Sequence, residues 1–396
     1  MDKQKKKLMW AIYIVALIEM PGFALTPGIH QMKTTAFPDM SLALIQTGLA
    51  LASLAQPITA FCTALLVNKR IATKKMVIIF GLCLLTADAV LALVLNTQFW
   101  HFIILNVVMG IMVGCVHPNM FGLMFDNFEP HERQSIAGLQ SAIINGAGIA
   151  MGVIGGLLAT LMWYGGYIVF FAGLPVAVIV FFTVPNYWAP VPDRSARKVS
   201  ARINPKIFYY CAVTLIFMMV YTACAANLST HIQDIGDSAT AGIGTAFLMG
   251  GGVVAGLLFN KLSKRFDDYA ISISLCIVFL GYIILSFSQH SLPLVFFSVF
   301  LVGTSLSFVM PHCIFKVSTL ATDKSNSQMA AALITTVTPA TGSFLSPVVF
   351  TNITTALYGE STVARYQFIG VVVLIFAAVV AAVTFLSGRK QTAQCP

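Results

Sequence analysis

Apolar runs of about 20 residues recur from one end of the chain to the other, each long enough to cross roughly 30 Å of hydrocarbon as a helix. Twelve can be marked, at roughly 8–28, 41–67, 76–95, 99–125, 135–161, 164–184, 207–228, 239–259, 269–288, 292–318, 328–352 and 364–387. With 58% of residues hydrophobic and only 9% charged, the chain could not clothe a water-facing surface. A soluble domain carries about a quarter charged residues. The pattern predicts an all-α integral membrane protein with twelve transmembrane helices.

The first run is too long, and lacks the small-residue cleavage site, for a removable signal peptide. Cys62, Cys83, Cys115, Cys211, Cys224, Cys276, Cys313 and Cys395 lie in spans or at the tail without a CxxC pair. They predict neither a metal site nor a disulfide framework, and read as small packing residues. The net charge of +9 could suggest a nucleic-acid partner, but the positions of the bases exclude that reading. All but Lys33, Lys316 and Arg365 of the 23 basic residues fall in segments that a twelve-span chain places on one side. This bias places both termini in the cytoplasm of a cell-membrane protein. An even number of spans requires both termini on the same side.

The longest connector, 185–206, is rich in proline and basic residues and lies at mid-chain. It divides the sequence into 1–184, a cytoplasmic linker 185–206, and 207–396. The halves are related in pattern: a shift of 192 lays 64–75 over 256–267, and a shift of 193 lays 116–140 over 309–333, with Pro118 on Pro311. Parallel six-helix halves are the architecture of the major facilitator superfamily, which the chain resembles. The loop after span 8 is similar to that superfamily's signature through Gly256, Asn260, Lys261, Ser263, Lys264 and Arg265. Asn stands there for the usual Asp, and Ser for Gly. The loop after span 2 is similar through Ala64, Asn68, Lys69, Lys74 and Lys75. The resemblance implies two pseudo-symmetric six-helix bundles and a cytoplasmic latch drawn from Asn68, Lys69, Asp126, Arg133, Asn260 and Lys261. With the family's acid absent from both loops, such a latch has to use the Asn amides. On span 5, Gly155 and Gly156 resemble the end of the glycine-rich signature of twelve-helix drug/proton antiporters, with Met151-Gly152 in place of its Gly-Pro. The same glycines equally suit close helix packing.

A charge at the bilayer centre costs at least ~2.5–3.5 kcal/mol, so each ionisable residue there needs a reason. Glu19 lies about eleven residues into the first span, roughly 16 Å deep at 1.5 Å per residue. The resemblance implies that spans 1, 4, 7 and 10 line a central cavity, which turns Glu19 toward it as proton-coupling acid and substrate contact. Pro21-Gly22 predict a local kink just beyond Glu19. His117 on span 4 is a second proton-coupling candidate, and His312 lies at a matching depth on span 10. The helical period sets Asn106, Gly110, His117 and Phe121 on one face, and Ser305, Phe308, His312 and Lys316 on another. Asn119, Asn145, Tyr221 and Asn227 complete the substrate-binding candidates. Lys316 either holds an anion or snorkels to the interface. Asp88, mid-way along span 3, is expected to make a structural hydrogen bond. Asp126 is expected in a charge cluster with the basic loops.

Neither a P-loop nor a zinc or diphosphate motif is present, which argues against an ATP-driven pump and a membrane enzyme. The expected function is proton-coupled transport of a small molecule by alternating access, as a monomer in the lipid bilayer without cofactor or metal. Efflux of an amphipathic compound, uptake of a small organic acid and lipid flipping all remain compatible with the residues.

Overall fold

The computed structural model describes residues 3–186, 188, 204–266, 269–320, 330 and 332–392, with the side chains of 125, 130, 131, 133–135, 137, 138, 141, 259–265, 318 and 387–392 excepted. Its regular elements are helical throughout the described residues. A helix satisfies every backbone N–H and C=O within its own segment, which hydrocarbon demands. Eleven helices among the described residues are long and apolar enough to cross a membrane, and a shorter apolar helix, Ala270–Ser286, accounts for the remaining expected span. The chain is a multi-pass membrane protein. Its exposed side chains include large apolar ones such as Leu161, Phe182 and Leu257, as a lipid-facing surface requires.

The chain divides into two compact units, one of Met1–Arg202 with Ser238–Ile243, the other of Ile203–Asp237 with Gly244–Pro396. In the first unit, α1 (Lys3–Ala16) is followed by 3-10 turns at Pro21–Ala24 and Thr26–Gly28 and a π turn at Met32–Ala36. Then come α2 (Leu42–Asn68), α3 (Lys74–Val94), α4 (Phe99–Asn127) and α5 (Pro130–Leu161). A 3-10 segment, Gly165–Ala172, leads into α6 (Gly173–Thr183). The second unit contains α7 (Pro205–His231), most of α8 (Ser238–Phe266), α9 (Ala270–Ser286), and α10 (Leu292–Thr304) running into α11 (Leu306–Leu320). It ends with α12 (Thr338–Ser346) between π turns at Leu333–Val337 and Pro347–Thr351, α13 (Asn352–Tyr358) and α14 (Thr362–Thr392).

The first span departs most from expectation. A kink at Pro21 was predicted, but the α-helix already ends at Ala16. Leu17, Ile18 and Glu19 bond back only three residues, to Ile14, Val15 and Ala16. Met20 then leaves helical space at φ −120°, ψ 59°. The cause is local: proline supplies no N–H to the preceding turn, and its ring disfavours α geometry in the residue before it. The released segment needs room, and Gly155 on α5 and Gly166 supply it. A Cβ at either position would collide with the carbonyl oxygen of Ala24. One glycine of the antiporter-like stretch therefore seats the broken part of span 1.

Candidate functional site

Glu19 lies on the four-residue stretch between the end of α1 and the first 3-10 turn. Its side chain is only 1% exposed. Gln140, buried on α5, donates from Nε2 to both carboxylate oxygens, at 3.2 Å to Oε1 and 3.4 Å to Oε2. His117 on α4 brings Nδ1 to 3.6 Å from Oε2, within ion-pair reach when the ring is protonated. The histidine remains 27% exposed, and its ring packs on Phe121 with centroids 4.9 Å apart. Three elements thus converge on a single carboxylate: the break in span 1 presents it, α5 holds it by an amide, and α4 sets beside it a group that can carry a proton.

Gln140 was not singled out in the sequence. It is an uncharged polar residue in the polar first third of α5, where glutamine carries no signal of burial. Position alone offered a hint, since Gln140 lies five residues before the asparagine that was selected, Asn145.

The other expected site residues separate into groups. Asn106 is fully buried, donating from Nδ2 to Phe102 O at 2.8 Å and to the Tyr167 hydroxyl at 3.1 Å. Asn119 donates to Thr63 Oγ1 at 3.4 Å and to Cys115 O at 2.9 Å, and so ties α4 to α2. Asn145 is buried on α5. In the second unit, Tyr221 is buried with its ring against Phe217. Ser305 is buried at the joint between α10 and α11 and bonds back to Val302 O. His312 is buried and Lys316, a turn further on, is half-buried. Among the latch candidates, Asp126 forms an ion pair of 2.6 Å with Lys74. Asn68 and Lys69 are exposed at the end of α2, beside a turn in which Arg70 takes the left-handed φ of 58°. The side chains of Arg133, Asn260 and Lys261 lie outside the described residues.

The expectation for Asp88 is corrected. It is fully buried on α3, yet neither carboxylate oxygen has a hydrogen-bond partner among the described residues.

Arg365 was read only as a base on the non-cytoplasmic side. It is fully buried near the start of α14. Its guanidinium donates from Nη1 to Asn227 Oδ1 at 2.7 Å, from Nε to Thr354 Oγ1 at 3.0 Å and from Nη2 to Thr355 Oγ1 at 3.1 Å. Asn227, expected at substrate, is thus a partner of Arg365. Beside this cluster, His231 contacts Thr362 Oγ1 at 3.0 Å and Ser288 Oγ at 3.4 Å and meets the Tyr366 ring edge-on.

A model of the Major Facilitator Superfamily matches residues 8–347. The chain belongs to that superfamily. The solved structures agree in fold: a bacterial homolog of the human lysosomal transporter Spinster, inward-facing and unoccupied, superposes with a TM-score of 0.73 at 15% identity over 98% of each chain. A mutant of the nucleoside transporter NupG gives 0.72 at 13% identity, covering 96% of this chain and 99% of that one. The POT family transporter PepTSo gives 0.77 at 11% identity, over 100% of this chain and 99% of that one. No curated protein matches by sequence. At these identities the likeness is one of fold, so the chemistry of this member of the Major Facilitator Superfamily has to be read from its own residues.

Proposed function

We propose that the protein is a proton-coupled secondary active transporter of the cell membrane, both termini cytoplasmic, working as a monomer by alternating access between two six-helix halves. In this reading Glu19 binds and releases the driving proton. The observation that carries it is the Glu19, Gln140 and His117 constellation at the break in span 1. An imidazole at 3.6 Å offers a proton carried by the carboxylate a second seat. When Glu19 is neutral, the proton sits on a carboxylate oxygen facing Nδ1. When the proton passes to Nδ1, an imidazolium faces a carboxylate. Gln140 donates to the carboxylate in the charged form and so keeps that form accessible. Because His117 is partly exposed and Glu19 is not, the imidazole is the natural exit for the proton. The unwound backbone lets this corner reshape without breaking a continuous helix, as discontinuous spans do in secondary transporters.

The direction we assign is efflux of a small amphipathic molecule in exchange for protons. The glycine-rich stretch of span 5 supports this, together with the scarcity of fixed charge among the candidate substrate contacts. Purified protein in liposomes with an imposed pH gradient, tested in both orientations against amphipathic cations and small organic acids, is the experiment. Uphill movement of an amphipathic cation against proton influx is expected. Co-transport of an organic acid with protons would reassign the direction to uptake. Glu19→Gln should lose uphill accumulation while retaining exchange, and a variant that concentrates substrate at the wild-type rate would remove Glu19 from the mechanism.

A further inference from the structure

We propose that Asp88, Asn106 and Tyr167 form a proton-binding site within the first unit, occupied at neutral pH and separate from Glu19. Asp88 Oδ1 and Oδ2 and Asn106 Oδ1 are all buried, and all three lack a hydrogen-bond partner among the described residues. Asp88 and Asn106 are each fully buried, on α3 and α4 respectively. The Tyr167 hydroxyl accepts from Asn106 Nδ2 at 3.1 Å, and α3, which carries Asp88, packs against both α4 and the Gly165–Ala172 segment. Its own O–H has no hydrogen-bond acceptor among the described residues, so the cluster holds three acceptors in want of donors and a single available donor.

Buried acceptors in hydrocarbon do not stay unmatched, and an isolated carboxylate there is the costliest case. Adding a proton to Asp88 forms an O–H bond, breaks none in the protein, and removes the charge. The new O–H is then a second donor beside that of Tyr167, and Asn106 Oδ1 and the remaining Asp88 oxygen are the acceptors left for the two to meet.

Tyr167 is the titratable group on the Gly165–Ala172 segment, which packs on α3. The packed face of α6 has none, its sequence being GLPVAVIVFFT. On α4, His101, Cys115, His117 and Asp126 lie five or more residues along the helix from Asn106. On α3 itself, Lys74 and Lys75 are at the N-terminal end, and Cys83 is exposed. No cation faces Asp88 from these elements to take the place of a proton. The bound proton would lock α3, α4 and the Gly165–Ala172 segment together, whether or not Glu19 drives transport.

Infrared difference spectroscopy on the full-length protein in nanodiscs tests the proposal. The wild type at neutral pH should show a carboxylic-acid C=O band that survives Glu19→Gln, disappears in Asp88→Asn, and is indifferent to replacing sodium by choline. Tyr167→Phe and Asn106→Leu, which leave the acid in place, should shift that band in frequency. Loss of the band in Glu19→Gln would overturn the proposal, as would its removal by sodium, which would make the site a metal-ion site. If Asp88→Asn does not fold, an unshifted band in both Tyr167→Phe and Asn106→Leu would overturn it as well.

Discussion

Spans 1 and 7 occupy corresponding places in the two halves, yet one is broken and the other is not. Under the 193-residue offset Pro21 lies over Thr214. Thr214 has an N–H and spends its hydroxyl on Tyr210 O at 2.8 Å, so α7 runs unbroken from Pro205 to His231. The same contrast extends to charge. Of the acidic and basic side chains, those buried in the first unit include two acids, Glu19 and Asp88, while those buried in the second are Arg365, His231 and His312, with no buried carboxylate among its described residues. A proline and an acid on one side, a threonine and a guanidinium on the other, turn related frames to different uses. In the first unit a carboxylate sits where the backbone has left the α-helix. In the second, a cation is held by neutral oxygens from α7 and α13.

Importing the break into the second unit tests this contrast most severely. Thr214→Pro should destabilise the protein by about 3 kcal/mol, since an interior proline deletes a backbone hydrogen bond and clashes with the preceding turn. Thermal unfolding in detergent would read this, and an unchanged midpoint would mean that continuity of α7 is unimportant. Next in size, Arg365→Leu should lose about 2–3 kcal/mol, as buried Asn227 Oδ1 and Thr354 Oγ1 and half-buried Thr355 Oγ1 each lose the donor that the guanidinium supplies. That loss should appear in stability at all pH values, whereas Glu19→Gln should leave stability nearly intact and remove coupling. Gly155→Ala should destabilise by about 1–3 kcal/mol, because its methyl meets the Ala24 carbonyl and must push the broken segment away. The smallest effect is expected at Lys74→Ala, which removes a partly exposed pair with Asp126 that is worth about 0.2–1 kcal/mol and weakens in salt.

The spans, the superfamily and the intramembrane acid were legible because each is a departure from a strong background: polar loops between apolar runs, or a carboxylate within one. What was not legible depended on neighbours. Gln140 has no charge to betray it, and only its placement opposite the break makes it a partner of Glu19. Arg365 stands at the margin of span 12, where an arginine ordinarily faces water, and its burial follows from Asn227 and the threonines of α13. The proline in span 1 announced a kink, but how far the unwinding reaches back depends on Gly155 and Gly166, which make room for it. Asn106 and His117 share a helical face, but Tyr167 takes up the first and Glu19 the second.

Proton release on substrate binding measures the central claim directly. A transported compound found in the liposome panel, added to solubilised protein in weak buffer with a pH-sensitive dye, should release protons from the wild type and none from Glu19→Gln. Equal release from both proteins would contradict the account.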